Sequence, residues 1–248
     1  VLARDYRHIG KDDTRVLLLE GGDRVLPAFD PKLSAAAERQ LKELGVEVRT
    51  GTLVRHIDEA GVHIDDEVII SENIVWAAGV AANPLAQTLG VELDRAGRIK
   101  VKNDCTVEGH DDVYAIGDIA RFEQEDGNTL PGVSPVAMQQ ARYVARHLKD
   151  RLRGRNSEPF KYFDKGIMAT IGRSRAVAQA GRLKLTGLTA WLAWLFVHLF
   201  YLVGFKNRVF VLLQWIWAYV VFRRGARLIT GHPPPASLPD DRSPAKAA

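Results

Sequence analysis

Residues Val113, Tyr114, Ala115, Ile116, Gly117 and Asp118 form a short apolar run that stops on a glycine and then a single carboxylate. A glycine lets backbone approach a ligand closely, and an aspartate just past a strand end can accept hydrogen bonds from sugar or polyol hydroxyls. In an open α/β sheet the crevice outside the carboxyl ends of the strands is where dinucleotides bind. Ile74, Val75, Trp76, Ala77, Ala78 and Gly79 make a second apolar run, expected to be a strand, whose small last residues suit a flat ring lying against backbone. A third run, residues 14–20, reads as a strand that finishes on Glu20. In a βαβ nucleotide unit the second strand ends in the acid that hydrogen-bonds the ribose 2′-hydroxyl, and the glycine fingerprint lies about 20 residues earlier. Glu20 is therefore a candidate for NADH ribose, and its charge would repel the 2′-phosphate of NADPH. The plain alternatives are a buried strand ending in a turn carboxylate for Asp118 and a solvated glutamate for Glu20.

The elements that must carry these residues follow from periodicity. Residues 33–44 place Leu33, Ala36, Ala37, Leu41 and Leu44 on one helical face, with Gly45 after them as a C-terminal stop. A short parallel strand, Val46 to Val48, comes next. The runs 53–57, 62–64 and 68–70 alternate and are separated by turn residues, which reads as an antiparallel meander. Residues 97–101 form a strand with its polar side outward, and the polar stretch 121–129 is expected at the surface. A helix opens within residues 130–145 and runs to about Leu152. Residues 160–178 read as a hairpin turning at Gly172 to Ser174.

The last fifth of the chain is different in kind. Residues 188–205 contain one strongly polar side chain, His198; Lys206, Asn207 and Arg208 break the run, and residues 209–222 contain only Gln214. Four of the five tryptophans, Trp191, Trp194, Trp215 and Trp217, lie here, with Arg223, Arg224 and Arg227 closing the segment. Tryptophan with flanking cations is what a bilayer boundary selects. The second run, if helical, would rise about 21 Å, short of a ~30 Å hydrocarbon core, so two helices lying in one leaflet are favoured over a spanning hairpin. His198 reads as a packed or interfacial histidine. Residues 232–248, rich in proline, alanine and charge, are expected to be a disordered tail.

The pairing of an Ala-Ala-Gly strand with Tyr-Ala-Ile-Gly-Asp some forty residues later, and the apolar tail after it, resembles the type II NADH dehydrogenases, a family of two-dinucleotide-domain flavoproteins. The resemblance runs from Arg15 to about Gly231. It implies a partial double Rossmann-like α/β fold for FAD and NAD(P), with a C-terminal amphipathic helical segment that anchors to membrane. The implied domains are 1–79, the later part of an NAD-binding domain; 80–185, the returning part of an FAD-binding domain with a quinone-site segment; 186–231, membrane-associated helices; and 232–248, the tail. The implied activity is hydride transfer from NADH to FAD and two-electron transfer to ubiquinone or menaquinone, without proton pumping.

On that resemblance the cofactor-binding residues are Glu20, Trp76, Ala77, Ala78, Gly79, Gly117, Asp118, Ala137, Met138 and Lys165, and the quinone is met by Gln139 or Gln140. Pro135 stands where many members carry glutamine. The amides at the start of the helix that carries Ala137 are positioned to stabilise charge on a reduced flavin, and Lys165 would do the same from its own loop. Location would be peripheral, on the cytoplasmic face of a cytoplasmic membrane with anionic lipid, and a homodimer stays open.

Other classes remain at this point. The chain opens on Val1 without methionine and holds no Gly-x-Gly-x-x-Gly, so it is expected to be the downstream part of a longer protein. A membrane-binding remnant without flavin is therefore one alternative. A sulfide:quinone oxidoreductase is another, although one cysteine, Cys105, cannot supply a redox pair in this segment, and soluble disulfide reductases lack the apolar tail. A net charge of +4, much of it around that tail, points to lipid rather than nucleic acid. No catalytic triad, general base or Cys/His metal cluster is legible, so the cofactor is expected to carry the chemistry.

Overall fold

The computed structural model describes residues 14–71, 73–202 and 204–221. The expected closing arginines and the tail from 232 lie outside the described residues.

Strand β1 (Val16–Leu19) pairs in parallel with β2 (Val46–Arg49), joined by helix α1 (Pro31–Glu43). Asp30 starts α1 by accepting from the Lys32 amide, Pro31 occupies the first turn where its missing N–H costs nothing, and Gly45 ends the helix at φ +85°. The expected meander is present as β3 (His56–Asp58), β4 (Gly61–Ile64) and β5 (Glu67–Ile69). Gly61 is forced there: at φ +135° a Cβ would lie 2.1 Å from the Ile69 carbonyl oxygen.

A four-stranded sheet follows, ordered β8–β7–β6–β9, from β6 (Ile99–Val101), β7 (Thr106–Val107), β8 (His110–Tyr114) and β9 (Ala120–Phe122), with β6 and β9 parallel. Helix α2 (Ser134–Arg151) covers this unit through Val136, Tyr143 and Val144, and Phe160 closes it edge-on against Phe122 at 5.2 Å. The third unit is an antiparallel sheet of β10 (Ile167–Gly172), β11 (Arg175–Ala180) and β12 (Leu183–Thr186), of which only the hairpin was legible beforehand.

Strand period fixes how that third sheet is buried. Alternate side chains point to opposite faces, so Val177 packs against Leu33, Ala36 and Ala37 of α1, while Ala176 and Ala178 meet Ala190 of helix α3 (Gly187–Tyr201). Both faces of β11 are therefore covered. Helix α4 (Phe205–Val221) folds back along α3, stacking Trp215 on Trp194 at 5.8 Å. No helix among the described residues is long and apolar enough to cross a membrane.

Several expectations are corrected. Residues 74–79 form no strand: Trp76 is 65% exposed and Val75 more so, with no sheet neighbour for their backbone. The 113–118 run leaves the sheet at Tyr114, because Gly117 at φ +70° turns the chain into one 3-10 turn, Gly117–Ile119. The stretch 121–129 is not wholly surface, since Phe122 lies in the core. Lys206, Asn207 and Arg208 do not break the tail: α3 ends at Tyr201 and α4 begins before them, at Phe205. Helix α3 is apolar nearly all round rather than amphipathic.

Candidate functional site

The site assembles where β8 ends and α2 begins. The 3-10 turn Gly117–Ile119 packs on the first turns of α2. Gln140, one turn further along and 1% exposed, turns its Oε1 back to accept the Gly117 N–H at 2.7 Å. That bond pins a glycine whose Cβ, were there one, would press Ala137 at 3.3 Å. Asp118 is thereby held outward at the surface, with its Oδ1 beside Gly132, where an added Cβ would sit 3.4 Å away. Among the described residues no hydrogen bond or ion pair engages the Asp118 carboxylate, so its acceptor capacity is open. Two backbone glycines flanking an unpaired carboxylate fit a polyol hydroxyl, which is what a flavin dinucleotide offers at such a point.

The helix start supplies less free N–H than expected. Pro135 has none, and Val136 and Ala137 both donate to the Val133 carbonyl, at 3.0 and 3.3 Å. Within this turn Ala137 is half-buried and Met138 exposed.

Gln139 and Gln140 are spent on backbone in this structure. Gln139 makes a two-point clamp, its Nε2 donating to the Phe163 carbonyl and its Oε1 accepting the Phe163 N–H, both at 3.0 Å. This fixes the loop that carries Lys165, whose Nζ donates to the Tyr201 hydroxyl at 2.8 Å and lies 4.9 Å from that ring's centre. Clamp and contact connect α2 to the C-terminal end of α3. Neither was legible in sequence, because partners 24 and 36 residues apart leave no local signal.

The second cluster lies at the end of β1. Glu20 accepts the Gly22 N–H at 2.7 Å through Oε1, and its backbone bridges to Arg49 and Thr52. The carboxylate is thus held at the tip of the parallel pair. Residues Trp76, Ala77, Ala78 and Gly79 lie in an extended surface segment, not brought together with Asp118 by any sheet.

Cys105 is fully buried, and burial pushes its thiol up to about 12, with Asp104 adding to the rise. It is a core residue. Burial likewise raises the neighbouring Tyr143 phenol to about 12. His198 is exposed on α3, its ring stacked on Trp194 at 4.2 Å and its Nδ1 bonded to the Trp194 carbonyl at 2.8 Å.

Residues 1–141 match the family model of the pyridine nucleotide-disulphide oxidoreductases, and residues 165–224 match that of the NDH2 C-terminal domain. The chain belongs to this oxidoreductase family, on its type II NADH dehydrogenase branch. It is 42% identical over 237 residues to the type II NADH:quinone oxidoreductase Ndh of Mycobacterium tuberculosis, a match spanning 91% of this chain and 50% of that protein. The mitochondrial internal alternative NAD(P)H-ubiquinone oxidoreductase A1 of Arabidopsis thaliana is 30% identical over 90% of this chain and 47% of its own. Among solved structures, NDH2 of Plasmodium falciparum in complex with NADH superposes with a TM-score of 0.77 at 18% identity, covering 87% of this chain and 60% of that one. The last of these shows the fold, a Rossmann-like α/β architecture. The chain spans about half the length of the sequence relatives it matches.

Proposed function

We propose that the chain is the FAD-returning and membrane-facing part of an NADH:quinone oxidoreductase. The observation that carries this reading is the Gly117–Asp118 turn, locked by Gln140 and facing Gly132 with its carboxylate unpaired. FAD, when bound, supplies the chemistry that takes a hydride from NADH and delivers two electrons to a membrane quinone. The remaining work belongs to the chain's own residues. Asp118 accepts a hydroxyl of the cofactor's polyol, and Gly117 and Gly132 leave room for it. Ala137 and Met138 lie against the ring edge. Gln139 and Gln140 act as positioning residues, one setting the Lys165 loop and the other the Asp118 turn. Lys165 places positive charge next to the quinone entry, and Glu20 holds NADH by its ribose hydroxyls while repelling a 2′-phosphate. Trp76 to Gly79 supply the small-residue surface over which the nicotinamide passes.

The division into 1–79, 80–185, 186–231 and 232–248 follows the same reading, with the first two parts serving NADH and FAD. The α3–α4 hairpin serves the lipid. Exposed Phe196, Phe200, Phe210 and Trp217 offer apolar surface too extensive for water contact alone, and a quinone tail partitions into lipid, so a ring that reduces it must be brought to the bilayer surface. Attachment is peripheral and on the cytoplasmic face, with ubiquinone or menaquinone as acceptor, and a second copy of the chain can share the hairpin.

Purification tests this directly. A flavin spectrum, NADH-dependent reduction of a soluble quinone, and flotation with liposomes support it. A colourless, inert protein that stays in the aqueous layer overturns it in favour of another role.

A further inference from the structure

We propose that a cleft between α1 and the start of α3 holds the headgroup of one membrane phospholipid, a phosphodiester with a hydrogen-bond donor beside it, such as an ethanolamine ammonium. The cleft is lined by Arg39, Gln40, Glu43, Arg175, Thr186 and Gly187, among others. None of its lining residues is among those assigned above to FAD, NADH or quinone.

Three features converge on an anion. The 15-residue helix α3 starts at Gly187, and its cap residue Thr186 makes no side-chain hydrogen bond to the helix, so the positive end of the helix dipole opens into the cleft. Gly187, at φ +65°, has nothing within 4 Å of where a Cβ would be, which leaves the approach to those amides clear. Arg39 has no ion pair or hydrogen bond among the described residues, while Arg175 is already shared between the Gln40 carbonyl and Glu43, each at 3.3 Å. One unpaired guanidinium therefore faces the helix start.

A separate observation asks for a donor. Gln40 is only 8% exposed, and its Oε1 is buried without any partner. An unpaired buried amide oxygen is costly, and a native structure normally satisfies it. The Glu43 carboxylate beside it attracts positive charge. A group that presents a negative phosphate to Arg39 and α3, and a donor to Gln40 and Glu43, answers both demands at once.

The tail that belongs to such a headgroup has a track. Leu188, at the cleft wall, begins an i, i+4 series with Leu192, Phe196 and Phe200 along one side of α3, and all four are about half exposed or more. A helix of 15 residues rises about 22 Å, close to the reach of an extended acyl chain. The lipid source rests on the membrane reading of the hairpin; the cleft itself does not.

Binding of soluble headgroups by calorimetry, and flotation of the full chain, test it. Glycerophosphoethanolamine is expected to bind at least tenfold more tightly than glycerophosphocholine, which has the same phosphate and glycerol hydroxyls but no N–H on its quaternary nitrogen. Arg39→Ala should weaken it about tenfold, the cost of one charge-assisted hydrogen bond. Gln40→Leu should erase the preference between the two headgroups without lowering the melting temperature, an outcome that a merely structural Gln40 would not give. Equal binding of both headgroups, or no change in either variant, overturns the proposal. Inorganic phosphate binding as tightly as glycerophosphoethanolamine overturns the lipid in favour of a free oxyanion. Headgroup binding without flotation overturns the membrane reading of the hairpin and the lipid source with it. Flotation without headgroup binding overturns the cleft alone.

Discussion

The N–H of Gly117 and the buried Oε1 of Gln140 meet at 2.7 Å across 23 residues of sequence, and this one bond joins the end of a strand to the inner face of a helix. It fixes the left-handed turn at Gly117 and, through it, the direction in which Asp118 points. Replacing Gln140 by leucine keeps the volume and removes the acceptor. The expected cost is about 1–3 kcal/mol, the penalty of a backbone N–H left unpaired in a half-buried turn. Gln140→Glu, which restores an acceptor oxygen, should recover part of it. Thermal denaturation of the three proteins checks the order.

Asp118→Asn should behave differently. Among the described residues no group bonds the Asp118 carboxylate, so the melting temperature is expected to stay near that of the parent, while flavin retention falls about tenfold through loss of a charge-assisted hydrogen bond. Flavin absorbance per chain after gel filtration is the measurement. A large loss of stability with flavin retained would remove Asp118 from the site.

Val177, fully buried between β11 and α1, couples the first third of the chain to the C-terminal sheet. Val177→Ala removes about two methylene equivalents and leaves a cavity, at a cost of roughly 2 kcal/mol. On the opposite face, Ala190→Leu forces volume into the Ala176–Ala178 contact and should cost about 1–3 kcal/mol by overpacking. Chemical denaturation midpoints compare the two. Liposome flotation should weaken only for Ala190→Leu, since that change displaces the hairpin.

Acid reports on the junction at Asp30. The side-chain hydrogen bond from Lys184, followed by the backbone bond from Lys32, holds this carboxyl below its ordinary value of 3.8. A folded-state pKa below the unfolded one contributes stability that is present above the unfolded value and is lost as pH falls through the folded value. The difference in melting temperature between the parent and Lys184→Met should therefore be constant from neutral pH to about 5 and shrink as acid carries the solution below the ordinary carboxyl range. A difference that persists in strong acid would assign the effect of Lys184 to packing of its alkyl chain.

What the residues carry by themselves is local. The 3.6-residue spacing of Leu33, Ala36 and Ala37, the Asp30 cap and the Gly45 stop specify α1, and the alternating runs from 53 to 70 specify the meander, because short-range sterics and one-sided burial decide those elements. The apolar tail with its tryptophans was likewise legible as two helices, since nothing else accounts for so few polar side chains over 35 residues. Asp118 and Glu20 were legible as strand-end acids. Tertiary structure decided the rest. Residues 74–79 have the composition of a strand but no neighbour to pair with, and a strand exists only in its ladder. Gln139 and Gln140 read as exposed helix glutamines until the fold brings the Phe163 backbone and the Gly117 amide to them. Lys206 and Arg208 read as a break, yet α4 accommodates them, with the Arg208 Nε donating to the Leu202 carbonyl and its guanidinium lying over Phe200. Periodicity is set by neighbours one turn away and survives in any window of sequence; a hydrogen bond between residues 23 or 24 apart depends on where the whole chain puts its ends, and no window contains it.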